Sequence, residues 1–329
     1  MLVSRRRLGY LAATLVAASV PAANAAADDF PSRPVQLIVP YAPGGSGDLI
    51  ARLLGDKLSA LWGQQVVVEN KPGAGGLVGT ETAAHAAPDG YTLYLATDGP
   101  LTVAATLHRH VPYDWKRDFT PVSMITVGFQ VLIIDPKLPA KTLAEFIALA
   151  KSKPGALNFA SIGVGTAPHL AAELFLATAG LKLTHVPYNG SSAQAIRAMI
   201  AGDVAMFMVG TSTALPFIKN GNVRALAVTS NEGRVDGLPD VPTFAEAGYP
   251  QVDYSLWFSI AVPSATPAAV VNKLNADINK VVTDPGYMKA LADRGFKAKG
   301  STPSELAAFM EKDYIKNRDL IQKLGLQVD

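Results

Sequence analysis

Short runs of β-branched and aliphatic residues alternate with stretches of helical apolar spacing along almost the whole chain. This alternation restricts the fold more than any other property of the sequence. Residues 35–39 read as a strand, and after a Gly/Pro loop Ile50, Leu53, Leu54, Leu58 and Leu61 recur at helical spacing. Residues 66–69, 92–95, 122–126 and 129–134 repeat the strand signal. Thr142 is the expected N-cap of a helix carrying Leu143, Phe146, Ile147 and Ala150, with Glu145 at the reciprocal capping-box position. Further strands are expected at 157–160, 183–186, 204–208 and 224–229. Helices are expected from about Pro168, from Ser191, near Pro216 and through 267–324. Such alternation predicts an α/β fold of mostly parallel sheets covered by helices on both faces. A chain of 329 residues is long enough for two such units. Residues 122–126 and 256–262 lack a covering helix and read as strands crossing between two lobes. The expected boundaries are 26–127 plus 256–329 for the first lobe and 128–255 for the second.

The first 25 residues read as an export signal. Arg5, Arg6 and Arg7 precede a short apolar run at 8–20, and Ala23-Asn24-Ala25 supplies a small-x-small cleavage site. The apolar run is too short for the roughly 20 residues of a membrane-spanning helix. Ser4-Arg5-Arg6-Arg7-Leu8 also approximates a twin-arginine signal, although Gly9 and Tyr10 depart from the usual continuation. The expected destination is a periplasm, with no span after cleavage. There is no Cys, which excludes disulfides, thiolate nucleophiles and Cys-ligated metals. A net charge of +2, with no basic stripe after the first ten residues, argues against a nucleic-acid partner.

The chemistry is expected in four loops between strand ends and helix starts. They are Pro40-Tyr41-Ala42-Pro43-Gly44-Gly45-Ser46-Gly47-Asp48, Pro72-Gly73-Ala74-Gly75-Gly76, Ser161-Ile162-Gly163-Val164-Gly165-Thr166 and Pro187-Tyr188-Asn189-Gly190-Ser191-Ser192. In open α/β sheets, ligands bind outside the carboxyl ends of the strands, where helix N-termini offer free N–H groups to anions. Only Lys71 flanks these loops, so an anion there would be held by backbone amides and hydroxyls, with mild salt dependence. The glycine-rich runs have Val78 and Pro168 where a dinucleotide fingerprint needs its third Gly, and no Walker-type loop occurs. Ser46 lacks the closing Gly of a nucleophile elbow. His108 and His110 alternate without a third metal ligand nearby, so no metal or cofactor is expected. His85 reads as structural. His169, at a helix start, either hydrogen-bonds a ligand oxygen or orients its own loop. Trp62, Trp115 and Trp257 read as packing residues, any of which could line a cleft.

The chain resembles the Bug-type receptors, periplasmic substrate-binding proteins of tripartite tricarboxylate transporters. The resemblance runs through Pro31-Ser32-Arg33-Pro34-Val35, the first loop to Asp48 and Val68-Glu69-Asn70-Lys71-Pro72-Gly73-Ala74-Gly75-Gly76. It continues in Ala87-Pro88-Asp89-Gly90-Tyr91-Thr92-Leu93, Val111-Pro112-Tyr113-Asp114, Arg117-Asp118-Phe119-Thr120-Pro121-Val122, His185-Val186-Pro187-Tyr188 and Leu238-Pro239-Asp240-Val241-Pro242-Thr243. It implies a two-lobed, Venus-flytrap, type II-like binding-protein fold that closes on a small organic carboxylate and hands it to membrane subunits of a transporter. The ligand-binding residues it implies are Tyr41, Ala42, Pro43, Gly44, Gly45, Ser46, Gly73, Ala74, Gly75, Ser161, Gly165, Thr166, His169, Tyr188 and Asn189, with Thr211 added after the strand at 204–208. Met208 stands where many relatives carry Asp. That exchange disfavours an amino-acid ligand and suits an aliphatic or aromatic dicarboxylate, with Asp98 as a partial compensation. The rival readings are a periplasmic esterase or lyase using His169 with Ser161 or Ser46, and a ligand-sensing accessory of a membrane signalling protein.

Overall fold

The computed structural model describes residues 30–188, 190–231 and 233–326; the export signal read at 1–25 and Asn189 lie outside the described residues. The protein is an α/β molecule built on two sheets. In the first, β1 (Val35–Val39) pairs in parallel with β2 (Val66–Asn70) and β3 (Thr92–Ala96). The sheet is completed by three antiparallel strands, β10 (Leu256–Pro263) beside β3, then β4 (Phe119–Gly128), then β11 (Phe296–Ala298). In the second sheet, β6 (Asn158–Ser161) is parallel to β7 (Thr184–Pro187) and β8 (Met206–Gly210). There β5 (Gln130–Ile134) runs antiparallel to both β8 and β9 (Arg224–Val228). The expectation of mostly parallel sheets therefore holds for a three-strand unit in each and fails for the rest. The reason is the connection: β4 passes into β5 across Phe129 alone, with no helix to turn the chain round, and β10 returns from the second sheet's side without one.

The helices are those that helical spacing demands. α1 (Ser46–Trp62) turns Ile50, Leu54 and Leu58 into the first core, and α2 (Leu77–Ala84) follows the second glycine loop. Two short helices, α3 (Ala104–Leu107) and α4 (Trp115–Asp118), lie between β3 and β4. α5 (Leu143–Ser152) is capped by Thr142, whose hydroxyl accepts from the Glu145 amide at 3.2 Å. The Glu145 carboxylate reaches back to the amide of Lys141 at 2.6 Å, one residue before the expected Thr142. α6 (Ala167–Ala179), α7 (Ser192–Ala201) and α8 (Thr211–Lys219) each follow a strand of the second sheet. α9 (Ala268–Val282), α10 (Pro285–Ala292) and α11 (Pro303–Leu324) return to the first. β8 alternates its faces: Met206 and Met208 join one hydrophobic core, Phe207 and Val209 the other, because helices cover both sides. No helix among the described residues is long and apolar enough to cross a membrane.

Candidate functional site: a closed cleft ringed by helix N-termini

The four glycine loops lie where the two sheets' carboxyl ends face each other. The first, third and fourth border a cavity of about 40 Å³ lined by Tyr41, Ser46, Thr97, Asp98, Ser192 and an apolar wall that includes Ile162, Trp257 and Phe258. The helix starts converge on it. Gly45 and Ser46 open α1, Ala167 and Pro168 open α6, Ser192 opens α7, and Gly210 precedes α8. No side chain caps α1, α6 or α8, although the Thr211 amide that opens α8 donates to the Phe129 carbonyl at 3.0 Å. Four positive dipole ends therefore meet in a space whose lining contains no Lys, Arg or His.

The lobes touch across this space. Ser46 Oγ lies 2.9 Å from Ser212 Oγ and 3.1 Å from Thr213 Oγ1, and the Ala42 amide donates to the Gly190 carbonyl at 3.2 Å. Gly75 holds φ +66, and a Cβ there would lie 2.8 Å from the Val164 carbonyl oxygen of the other lobe. Only glycine allows the backbones to approach so closely. A volume of about 40 Å³ holds a water or two, so an organic ligand enters only when the lobes part.

Among the expected residues, Tyr41, Gly45 and Ser46 line the cavity. The Tyr41 hydroxyl pairs with Thr97 Oγ1 at 3.1 Å, and burial, with Asp98 nearby, pushes that phenol well up from its ordinary value. Pro43 and Gly44 form the turn before α1, where the Gly44 amide donates to Asp48 at 3.0 Å. Gly73, Ala74 and Gly75 hold positive φ angles in the second loop. Ser161, Gly165, Thr166 and His169 knit the third loop to itself. The Gly165 amide donates to His169 Nδ1 at 3.2 Å, and the Thr166 hydroxyl donates to the Gly163 carbonyl at 2.7 Å. Through the Gly165 bond His169 holds its own loop in this geometry. It is buried and faces the His185 ring, with centroids 4.3 Å apart. Burial, then the neighbouring His185, lowers its pKa to about 3, so it stays neutral. Ser161 Oγ sits 2.6 Å from His185 Nε2 and is itself fully buried. Tyr188 is half-buried beside the second core. Thr211 is pinned elsewhere: its hydroxyl donates to the Gly295 carbonyl at 3.3 Å, joining α8 to the turn before β11.

Met208 corrects one expectation. It is fully buried in a core and does not line the cavity, so its replacement of an Asp puts no apolar patch against a ligand. The apolar wall comes instead from Leu256, Trp257 and Phe258 on β10 and from Ile162. Sequence reasoning assigned β10 to the crossing between lobes and allowed only Trp257 of it a place at a cleft. Asp98 was singled out only weakly, and no local pattern marks it. Among the described residues, no group of three or more His, Asp or Glu side chains is placed to hold a metal ion.

Comparison with known proteins agrees with this architecture. Residues 50–326 match the family model described as "Tripartite tricarboxylate transporter family receptor". The protein BugT of Bordetella pertussis is 36% identical over 323 residues, covering 98% of this chain and 98% of its own. Among solved structures, R. palustris Rpa4515 with adipate superposes with a TM-score of 0.88 at 31% identity, over 91% of this chain and 99% of that one. MatC from Rhodopseudomonas palustris with bound malate gives 0.84 at 31% identity, over 89% and 100%. A two-lobed α/β architecture, a cleft at the strand ends and a match across most of the chain lead to one assignment: this protein belongs to the receptor family of the tripartite tricarboxylate transporters.

Proposed function

We propose that the protein is a non-catalytic periplasmic receptor that closes on a small organic carboxylate and delivers it to the membrane subunits of a tripartite tricarboxylate transporter. The observation that carries this reading is the convergence of four helix N-termini on a narrow space between the lobes with no cationic side chain in its lining. A carboxylate there replaces water with aligned N–H donors and hydroxyls. The relatives that hold adipate and malate support the ligand class. The proposed ligand contacts are the glycine loops at 41–46 and 73–75, Gly165, Thr166 and His169 once the lobes part, and Tyr188 with Asn189; Ser161 and Thr211, expected from the sequence, are buried and bonded away from the cavity instead. The strand partition supports lobes at 26–127 plus 256–329 and at 128–255, with 1–25 removed on export. Ligand binding shifts an open–closed equilibrium, and the membrane partner recognises the closed form.

The 2.6 Å approach of Ser161 to His185 favours a rival hydrolytic reading. Against it, the serine is sealed from the cavity and its hydroxyl donates within its own loop, to Gly163 at 3.1 Å. One experiment separates the two. Thermal unfolding is followed against citrate, succinate, adipate, malate, glutamate, nicotinate, benzoate and terephthalate. A ligand at 100 times its Kd adds about 2.7 kcal/mol, a rise of a few degrees in Tm. A hit recovered unchanged supports the receptor; release of nitrophenolate from p-nitrophenyl acetate, run beside the panel, supports the hydrolase.

A further inference from the structure

Asp98 is 3% exposed and, among the described residues, is the only carboxyl that lines the cavity. Behind it runs a chain of buried polar groups drawn from three distant segments. The Tyr254 hydroxyl lies 2.9 Å from Asp98 Oδ2 and 3.0 Å from Asn317 Oδ1. The Asn317 amide nitrogen donates to Asp313 Oδ2 at 2.9 Å and to Thr102 Oγ1 at 3.3 Å, which fixes its oxygen as the end facing Tyr254. Thr102 donates to the same Asp313 oxygen at 2.5 Å.

Counting hydrogens decides how this chain is satisfied. Tyr254 has one proton and faces two acceptors, so an ionised Asp98 that takes it, besides its backbone hydrogen bond from Gly99, leaves the Asn317 oxygen short of a donor. A proton on Asp98 resolves the conflict: Asp98 donates to Tyr254, and Tyr254 donates to Asn317. Electrostatics runs the same way, since an anionic ligand closed into the cavity with an ionised Asp98 sets two like charges in an enclosed space without a lining cation.

Resting on the receptor reading above, we propose that Asp98 is the specificity-determining residue of the cleft: it faces the ligand as a neutral carboxylic acid, admits carboxylates that carry no ammonium, and makes their capture require one proton. Tyr254 and Asn317 are positioning residues for that proton. The ionisable groups around Asp98 are Tyr41 from the first loop, Tyr254 from the segment before β10, and Asp313 with Lys316 from α11. Burial, then Asp313, pushes Asp98 up to about 7, while hydrogen bonds from Tyr254 and from the backbone amides of Gly99 and Asp98 itself oppose the rise.

The test measures affinity by calorimetry at pH 6.0 and 8.5 for the purified wild-type protein, Asp98→Asn and Asn317→Leu, with adipate, malate and glutamate as probes. If capture requires a proton, wild-type affinity for the dicarboxylates falls about tenfold per pH unit above the midpoint. Asp98→Asn, whose amide donates as the acid would, should bind them equally at both pH values. Asn317→Leu frees Tyr254 to donate to Asp98 and so favours the carboxylate; its loss of affinity should begin at lower pH. This midpoint shift also serves if Asp98→Asn does not fold, and a purely structural role would not produce it. Equal wild-type affinity at both pH values overturns the proposal and leaves the receptor intact. Tighter binding of glutamate at pH 8.5, lost in Asp98→Asn, also overturns it by making Asp98 an ammonium partner. Silence of every probe at both pH values overturns the receptor reading and this proposal together.

Discussion

Single residues decide how this cleft responds to pH, and two of them pull in opposite directions. His169 is buried and neutral with its pKa depressed to about 3, and His185 beside it is lowered to about 4 by burial. Below pH 6.5 the unfolded chain takes up protons that the folded protein refuses, so this contribution is complete above about 6.5 and lost as the pH falls. Asp98 has the opposite sign: its proton is bound more tightly in the folded state, and stability is lost as the pH rises from 3.8 to about 7. His169→Gln should therefore lose less stability than wild type between pH 7.5 and 5.0, by about 1–2 kcal/mol, in urea titrations at the two pH values. The Asp98 contribution is common to both proteins and cancels. Ser46 tests the closed form itself. Its hydroxyl bridges to Ser212 and Thr213 on the opposite lobe, so Ser46→Ala should weaken ligand binding by about two- to tenfold in calorimetry. The position of Ser46 in a Gly-rich loop was legible from sequence. Asp98 was named only as a partial compensation for Met208, and its network was not legible, because its partner Tyr254 is 156 residues away and no local pattern signals a tertiary hydrogen bond. His169 stayed open between two roles for the same reason, since its burial and its ring contact with His185 exist only after the second lobe has folded.

At the scale of elements, periodicity and capping chemistry located most of the strands and helices. Residues 35–39 form β1 as read, and Ser191 caps α7 by accepting from the Gln194 amide. Thr142 also caps as read, but its capping box is incomplete. The complete box lies at Thr302 and Glu305, ahead of α11, where each side chain accepts from the other's backbone amide. Thr302→Ala removes one of these bonds and should cost about 1 kcal/mol, read as a fall of a few degrees in Tm by calorimetry. A drop of ten degrees would instead mean that α11 is held chiefly by its cap rather than by Leu306, Met310 and Ile321 in the cores. The shortest elements escaped detection. α3 and α4 have four residues each and β11 has three, too few for a period to show. Strand direction was also hidden, because a fully buried strand such as β10 reads as a continuous apolar run whether its neighbours run parallel or antiparallel.

For the whole molecule, two facts bear on function: the lobes meet around a space of about 40 Å³, and the meeting surfaces are loops and helix ends. A space so small requires opening before any organic ligand enters, so the free protein must populate a form with the lobes apart. Two lobes were legible from the alternation and from the crossing strands. Their closure was not, since it depends on loops such as Gly75 and Val164 that lie in different lobes and meet only in three dimensions. The central claim is that a carboxylate is held here by helix N-termini and hydroxyls rather than by cationic side chains. Calorimetric titration of the purified protein with the best carboxylate of the panel, at 20 mM and at 500 mM sodium chloride, tests it most directly. The account predicts saturable one-to-one binding whose Kd changes by less than about threefold between the two salts, because the contacts are enclosed and the lining bears no cation. Loss of tenfold or more in affinity at the higher salt, or no binding of any carboxylate, would contradict it.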